Sequence, residues 1–208
     1  MQGLLFVLSQ PKDGDEAEFH DWYDNEHAPA RTALDGIDTG YRYRAADGER
    51  PEWLAYYDLD LGVLDTLPYR RLLDQRSERE KGVIARLTAF DRRVYEHLDD
   101  QGTPPAGPPP MVVARWLEAP PEHEEELLAW YGEEHIPLLL RTPGWNRCRR
   151  FQLREGGGPK LLVLHEIDGP AVFDTDTYRA ATDTPWRDKI MTVVTGNERR
   201  RFTFHRAF

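Results

Sequence analysis

Short apolar runs separated by polar turns set the pattern of the chain. Residues 3–9 and 111–117 are almost continuously apolar, which predicts two buried strands. Each run is followed by a stretch in which apolar residues recur three and four positions apart, which predicts an amphipathic helix. A proline stands at positions 29 and 137, and proline disfavours helical conformation at the residue before it. We therefore expect both helices to end near His27 and His135.

The remaining predicted elements follow in the same order in both parts of the chain. Each helix is followed by a strand, a glycine-containing turn, a strand, a second helix and a final strand. These elements lie near residues 37–44, 54–60, 67–79 and 92–98, and again near 147–153, 162–168, 174–190 and 200–208. The order β-α-β-β-α-β is the ferredoxin-like pattern.

The two parts are copies of one unit. At an offset of 108 residues, the segment 22–29 falls on 130–137, and both read W-Y-x-x-E-H-x-P. At the same offset the arginine pair 92–93 falls on 200–201. The segment 101–110 holds five prolines, which predicts an extended linker. We therefore expect a first half at 1–100, a linker at 101–110 and a second half at 111–208. Each half is small for a core of its own, so we expect the halves to pack together.

Two such halves, with this motif after the first strand, resemble the dimeric α+β barrel superfamily. The motif is most similar to that of EthD-like proteins, W-Y-x-E-H-x-P-x-L-L-x-x-P-G. The matching residues of the second copy are Trp130, Tyr131, Glu133, Glu134, His135, Pro137, Leu138, Leu139, Pro143 and Gly144. The first copy keeps Trp22, Tyr23, Glu26, His27 and Pro29, but has Ala30, Arg31 and Asp35 where the leucines and the proline would stand.

The resemblance implies an α+β fold in which two ferredoxin-like βαββαβ halves pack as an intramolecular pseudo-dimeric α+β barrel. Because one chain would supply both halves, it implies a monomer, with further dimerisation left open. The superfamily includes cofactor-free cyclases, isomerases, decarboxylases and monooxygenases, and also haem enzymes. The resemblance is therefore more specific for the fold than for the reaction.

Composition excludes several classes of protein. A net charge of −10 argues against nucleic acid or an anionic membrane as the partner. The small-molecule substrate is what the resemblance implies. The single cysteine, Cys148, rules out a disulfide framework and a cysteine zinc site. The chain has no apolar stretch long enough to span a membrane and no signal-peptide pattern at its start, so we expect a cytoplasmic protein. Neither metal-site histidine spacings nor phosphate-binding loops occur, so we expect no metal and no cofactor.

The glutamate–histidine step of the motif supplies the first candidate acids and bases. Helical spacing places Glu26 on the apolar, core-facing stripe, with His27 at its edge, and Glu134 and His135 repeat this arrangement. An ionised carboxylate that faces a core must be paired or must change its pKa. Two interpretations stay open: the glutamate pairs with an arginine of the next strand, or it forms an acid/base pair with the histidine at the mouth of a cavity.

A second candidate position lies inside the third strand of each half. His165 stands among aliphatic residues, and Tyr57 occupies the same place in the first copy. Both are proton-transfer groups, although a histidine among aliphatic residues is also often a satisfied core residue. Because the copies differ here, we expect one asymmetric site. Cys148 lies between two arginines, which would lower its pKa, and we interpret it as structural.

Together these positions define the candidate site. The candidate catalytic residues are His135, His165, Glu134, His27 and Tyr57. The candidate substrate-binding residues are Trp130, Tyr131, Trp22, Tyr23, Arg42, Arg150 and Trp186. For Trp186 and for Tyr178 on the same predicted helix, a core role stays open beside that of a flat substrate wall. The arginine pairs 92–93 and 200–201 are interpreted either as carboxylate- or phenolate-binding groups or as a solvated strand edge.

The favoured function is a cofactor-independent enzyme that acts on a small aromatic or polyketide-like molecule by general acid/base chemistry. Cyclisation, isomerisation, dehydration and decarboxylation all fit, with His135 or His165 moving a proton and Glu134 or Tyr57 assisting. One alternative is a cofactor-free monooxygenase of the antibiotic-biosynthesis type. Another is a non-catalytic small-molecule-binding or stress-response barrel.

Overall fold

A computed structural model describes all 208 residues. The chain divides into two compact units. Unit 1 comprises residues 1–97, 154–157 and 205–208, and unit 2 comprises residues 98–153 and 158–204. Strand β4 runs on to Gly102, into the segment expected to be a linker.

The elements follow the predicted order in both repeats. The first repeat contains β1 (Gln2–Gln10), α1 (Glu16–Trp22), α2 (Ala28–Thr32), β2 (Ile37–Ala45), β3 (Trp53–Asp60), α3 (Leu67–Asp74), α4 (Glu78–Ala85) and β4 (Ala89–Gly102). The second repeat contains β5 (Met111–Glu118), α5 (Pro121–Trp130), α6 (Ile136–Leu139), β6 (Trp145–Glu155), β7 (Leu161–Ile167), α7 (Asp176–Ala181), α8 (Pro185–Met191) and β8 (Gly196–Ala207).

Each repeat forms an antiparallel sheet. In the first, β1 lies between β4 and β3, and β2 pairs with β3. In the second, β5 lies between β8 and β7, and β6 pairs with β7. Followed along its hydrogen bonds, the strand order is β1-β3-β2-β8-β5-β7-β6-β4, which closes as a barrel. The predicted fold class, α+β with two βαββαβ halves in one barrel, is confirmed.

The helices of each unit pack against one face of its sheet, because alternate strand residues on that face are apolar. In unit 1, Leu5 and Val7 of β1 pack in one cluster with Phe19 and Trp22 of α1. In unit 2 the corresponding cluster holds Val113, Leu127, Trp130 and Ile190 among others. Burying a side chain of this size stabilises the fold by about 1.5–3 kcal/mol. None of the helices has the length and the apolar composition needed to cross a membrane.

A π-helical turn interrupts the first helix of each unit, at Tyr23–His27 and Tyr131–His135. The helix then continues through the proline as α2 or α6, so the expectation that it ends near the histidine was wrong. In a regular α-helix the proline ring would clash with the carbonyl four residues earlier. The wider turn, in which the N–H of Ala28 bonds to the carbonyl of Tyr23, makes room for that ring.

The extra residue in the π-helical turn rotates the positions after it by about 100°. As a result the histidine of the motif faces inward and the glutamate outward. His135 is only 8% exposed, while Glu26 lies at the surface, where it pairs with Arg79. The expectation of a core-facing glutamate was therefore wrong for Glu26, whereas Glu134 is half-buried and hydrogen-bonded to Thr184.

The offset of 108 residues holds as far as β3 and β7 and then breaks in the second helical region. The threonine that caps α3 is Thr66, and the equivalent cap of α7 is Thr175. The cap of α4 is Ser77, and that of α8 is Thr184. The caps of α3 and α7 are therefore more than 108 residues apart, and the caps of α4 and α8 are fewer than 108 residues apart.

This slip changes which arginines correspond on the last strand of each repeat. Arg92 lies opposite Val7 in the pairing of β1 with β4, and Arg199 lies opposite Arg115 in the pairing of β5 with β8. Val7 and Arg115 are equivalent, so Arg92 corresponds to Arg199. The gapless match of 92–93 with 200–201 was wrong by one residue.

Candidate functional site

Each unit encloses a cavity between its helices and the face of its sheet. Cavity 1, in unit 1, has a volume of about 450 Å³, and cavity 2, in unit 2, has a volume of about 210 Å³. Pockets for drug-sized ligands are roughly 300–1,000 Å³. Cavity 1 therefore has room for a ligand of several rings, and cavity 2 fits a smaller molecule.

Cavity 2 is lined by basic and aromatic groups and by no carboxylate. Its lining residues are Val113, Arg115, Leu117, Trp130, Tyr131, His135, Leu139, Trp145, His165, Tyr178, Thr182, Arg187, Met191 and Arg199. Strands β5 to β8 supply its floor, and the π-helical turn with α7 and α8 supplies its walls.

His135 presents an unprotonated nitrogen. Its Nδ1 lies 3.1 Å from the backbone carbonyl oxygen of Ala181. A carbonyl oxygen only accepts, so Nδ1 carries the hydrogen and Nε2 carries the lone pair. Burial lowers the pKa of His135 to about 4, and the ring stacks on Trp130 with centroids 4.6 Å apart. At neutral pH the ring is therefore an uncharged base held in one orientation.

His165 is held at its other side by a sulfur atom. The indole Nε1 of Trp145 donates to Sγ of Cys148 at 3.3 Å, and the same sulfur lies 3.1 Å from Nδ1 of His165. If the thiol donates to Nδ1, the hydrogen of His165 is on Nε2; if the sulfur accepts from Nδ1, Nε2 carries the lone pair. Burial lowers the pKa of His165 well below its usual value, so this ring is also uncharged.

Burial raises the pKa of Cys148 to about 12, so the thiol stays protonated. The expectation that the neighbouring arginines lower this pKa was wrong. Adjacent residues of a strand point to opposite faces, and Arg149 lies 3.0 Å from Glu166 while Arg147 pairs with Asp100.

Tyr131 and Arg115 complete the polar part of cavity 2. Burial raises the pKa of Tyr131, which keeps its hydroxyl protonated, and Arg115 is hydrogen-bonded to it. Burial also lowers the pKa of Arg115, and the neighbouring Arg199 and Arg187 lower it further. The cavity therefore gathers positive charge beside two neutral imidazoles.

Cavity 1 is more apolar, and its polar groups are bonded to one another. The hydroxyls of Tyr23 and Tyr57 lie 3.1 Å apart. Nδ1 of His27 lies 3.2 Å from Oε1 of Glu80, and burial lowers the pKa of His27 to about 4. Burial would raise the pKa of Glu80, but its contacts with His27 and with Arg31 hold it below the usual value.

The predicted site residues divide into three groups. His135, His165, Trp130 and Tyr131 line cavity 2. His27, Tyr57, Trp22 and Tyr23 line cavity 1. Glu134, Arg42, Arg150 and Trp186 line neither cavity.

The residues of the third group have structural partners. Glu134 accepts a hydrogen bond of 2.7 Å from the hydroxyl of Thr184, which caps α8. Arg42 is buried and pairs with Asp24. Arg150 pairs with Asp99, donating from Nε at 2.8 Å. Trp186 packs against the apolar cluster of unit 2.

Sequence reasoning missed five polar or aromatic residues of cavity 2: Arg115, Trp145, Thr182, Arg187 and Arg199. Arg115 carried a visible signal, because it interrupts an apolar strand at a position where the first copy has Val7. The position of Arg199 depends on the slip in the offset and that of Arg187 on the packing of α8, which no local pattern reveals.

Both cavities contain an indole N–H without a partner. Trp22 and Trp130 are equivalent and almost completely buried, and Nε1 of each has no hydrogen-bond acceptor within the chain. A buried donor left unpaired costs about 1–3 kcal/mol. No group of three or more histidine, cysteine, aspartate or glutamate side chains lies together as a potential metal site.

No protein-family model matches the chain, and no curated protein matches it in sequence. Solved structures match it along nearly its whole length. An anthrone oxidase-like protein superposes with a TM-score of 0.70 at 12% identity, over 100% of this chain and 92% of that one. A ferredoxin-fold protein related to antibiotic biosynthesis monooxygenases, from Listeria monocytogenes, gives 0.56 at 12% identity, over 99% and 95%.

A heme-degrading enzyme from Listeria monocytogenes also matches, with a TM-score of 0.52 at 10% identity, over 97% of this chain and 99% of that one. At such identities the likeness shows the fold alone. The resemblance to the dimeric α+β barrel superfamily is thereby confirmed at the level of the fold. The narrower resemblance to EthD-like proteins, the monomeric state and the cytoplasmic location stay predictions.

Proposed function

We propose that the chain is a cofactor-independent enzyme that acts on a small aromatic or polyketide-like molecule in cavity 2 by general acid/base chemistry. One observation carries the proposal: two uncharged histidines line the same cavity, and each is held at Nδ1. His135 offers a proton acceptor at Nε2, and we assign the thiol of Cys148 as the donor to Nδ1 of His165, which makes Nε2 of His165 a proton donor.

The pair suits a substrate with an enolisable carbon or a phenolic hydroxyl. His135 removes the proton, the oxygen that becomes negative accepts a hydrogen bond from His165, and the positive charge of the arginines in the cavity stabilises it. Fixed donors aimed at developing charge in a buried site stabilise a transition state strongly. Return of the proton from His135 to another position of the same molecule completes an isomerisation. In a dehydration His135 gives the proton to the departing hydroxide, which leaves as water. In a decarboxylation His135 takes the carboxyl proton, the C–C bond to the carboxylate breaks to release carbon dioxide and leave an enolate, and His135 returns the proton to the carbon.

The low pKa of His135 is compatible with this role. A base with a pKa of about 4 is wholly unprotonated at neutral pH, although it is weak. Negative charge arriving in the cavity favours the protonated imidazole and so raises that pKa during the reaction. The positive charge of the arginines lowers the pKa of the substrate at the same time. The difference between the pKa of the substrate and that of His135 therefore becomes smaller.

The test is a screen of anthrones, naphthols and 1,3-diketones, with products identified by mass spectrometry. His135→Gln and His165→Gln are expected to reduce turnover at least 100-fold, in the usual range for loss of a general acid or base. The matched controls are His27→Gln and Tyr57→Phe, which change the equivalent positions of cavity 1. Full activity in His135→Gln, or equal losses in the controls, contradicts the proposal.

The second candidate is a cofactor-free monooxygenase, in which the deprotonated substrate reacts with oxygen. The solved structures favour it, because the similar proteins include an anthrone oxidase-like protein and relatives of antibiotic biosynthesis monooxygenases. The same deprotonation by His135 would begin both reactions. Product that forms under argon supports acid/base chemistry, and stoichiometric oxygen uptake supports the monooxygenase.

A non-catalytic binding barrel is the remaining alternative. It predicts that a screened aromatic ligand raises the midpoint of thermal unfolding while mass spectrometry finds no new product. A His135-dependent product rules this alternative out.

A further inference from the structure

Three equivalent positions in or beside the cavities distinguish the charge of cavity 2 from that of cavity 1. The first lies on the first strand of each repeat, where Arg115 replaces Val7. The second lies on the fourth helix, where Arg187 replaces Glu80. The backbone N–H groups of these two residues bond to the equivalent caps, Thr184 and Ser77, which establishes their correspondence.

The third position carries an arginine in both units, but with different surroundings. In unit 1, Arg92 donates from Nη1 to Glu155 at 3.0 Å. In unit 2 the equivalent residue, Arg199, has no carboxylate partner, and its guanidinium lies 4.8 Å from the ring centroid of Phe173. Unit 2 has therefore gained two positive charges, lost a negative one and left a third positive charge without a counter-ion.

Two of these cations lie side by side. Arg115 and Arg199 are directly opposite each other in the antiparallel pairing of β5 with β8. Both line cavity 2. Like charges at directly opposite positions of a sheet destabilise it. Two arginines at directly opposite positions, such as Arg115 and Arg199, are expected where an anion between their guanidinium groups offsets the repulsion.

The chain itself supplies no anion for this purpose. No aspartate or glutamate lines cavity 2, and Arg115 forms no salt bridge. The nearest carboxylate of Arg187 is that of Asp188, 3.6 Å away on the solvent side of the helix and 71% exposed. An exposed pair of this kind contributes little.

We propose that Arg115 and Arg199 form a subsite for a carboxylate group of the ligand of cavity 2. This inference deepens the proposed function and rests on it for the statement that the ligand is a substrate. Guanidinium groups bind carboxylates through paired, charge-assisted hydrogen bonds. The volume of about 210 Å³ limits the ligand to a compact aromatic or enolisable acid. The acid group anchors the molecule at the strands, and the rest of it lies between His135 and His165.

The experiment measures binding rather than turnover. Isothermal titration calorimetry of the full chain compares benzoate with benzamide, its uncharged counterpart of nearly the same shape. We expect benzoate to bind at least tenfold more tightly. Arg115→Gln and Arg199→Gln should each remove most of this preference and leave the affinity for benzamide unchanged. Arg92→Gln, at the equivalent position of unit 1, should leave the preference intact.

Three results would overturn the subsite: no benzoate binding at millimolar concentration, equal affinities for the two probes, or a preference that survives in the Arg115→Gln/Arg199→Gln variant. Arg199 is exposed, so Arg199→Gln keeps the test available if Arg115→Gln does not fold. The readout is independent of the proposed reaction. If benzoate binding depends on the arginines but no His135-dependent product forms, the proposed function is refuted and the anion subsite stands. If a His135-dependent product forms but benzoate binding does not depend on the arginines, only the subsite is refuted.

Discussion

The thiol of Cys148 lies 3.1 Å from Nδ1 of His165, which leaves Nε2 as the ring nitrogen available to a ligand. The sulfur is held in turn by the indole of Trp145. A residue that looked structural in the sequence therefore occupies one nitrogen of a candidate catalytic group, and we infer that its thiol is the donor to that nitrogen.

Removing the thiol should change the protonation pattern of His165. Cys148→Ala leaves Nδ1 of His165 without a donor, so we expect the ring to shift toward the form protonated at Nδ1. Lost hydrogen bonds and the small void should lower the free energy of unfolding by about 1–3 kcal/mol. Nitrogen NMR of the imidazole reports the protonated position directly. Cys148→Ser keeps a donor at this place and should preserve the original form; finding Nδ1 protonated in the unsubstituted protein would contradict the assignment.

Stability should fall on acidification between about pH 6.5 and pH 4. Burial lowers the pKa of His27 and His135 to about 4, and lowers that of His165 well below its usual value. The unfolded chain therefore binds more protons than the folded chain in this range, so the free energy of unfolding rises with pH and levels off above about 6.5.

Each buried histidine should contribute up to about 1.4 kcal/mol per pH unit to this slope. Urea denaturation at pH 7.5, 6, 5 and 4.5 measures the slope. His135→Phe should reduce it by about one histidine's share. If the unfolding free energy is constant between pH 7.5 and 5, the folded and unfolded chains bind equal numbers of protons in this range. That result would contradict the lowered pKa of these histidines.

Glu134 should matter for stability and not for catalysis. It lies outside cavity 2 and accepts a hydrogen bond from Thr184, so Glu134→Ala should cost about 0.5–1.5 kcal/mol of unfolding free energy. The value of kcat/KM for a substrate found in the screen should change by less than about threefold, since no transition-state contact is lost. His135→Gln provides the comparison. A large loss of kcat with unchanged folding in Glu134→Ala would restore this residue as a proton-transfer group.

The Tyr23–Tyr57 contact should behave as a coupled structural pair. Tyr57→Phe or Tyr23→Phe leaves one buried hydroxyl without its partner at 3.1 Å, and each should cost about 1–3 kcal/mol. The double variant should cost less than the sum of the two, because no unpaired hydroxyl remains. Urea denaturation of the four proteins gives the coupling energy. Strict additivity would mean that the hydroxyls do not depend on each other.

The fold could be predicted because apolar runs, turns and the W-Y-x-x-E-H-x-P motif recur in register. The inward position of His135 could not, because the π-helical turn rotates the helix without any change in the local apolar spacing. The protonation of Cys148 was also beyond the sequence, since flanking arginines on a strand point away from the residue between them. The correspondence of Arg92 with Arg199 required the strand pairing, because short length differences around α3 and α4 are invisible to a gapless comparison.

The π-helical turn also indicates which features of the two cavities appeared before the chain was doubled and which appeared after. It occurs at the same position in both repeats, so it and its inward histidine were present before the gene segment was doubled. The differences between Val7 and Arg115, Glu80 and Arg187, and Tyr57 and His165 arose afterwards, when each copy was free to change without loss of the other. The π-helical turn and its inward histidine are therefore the older, shared features of the two repeats. The charges that distinguish cavity 2 from cavity 1 are the younger ones.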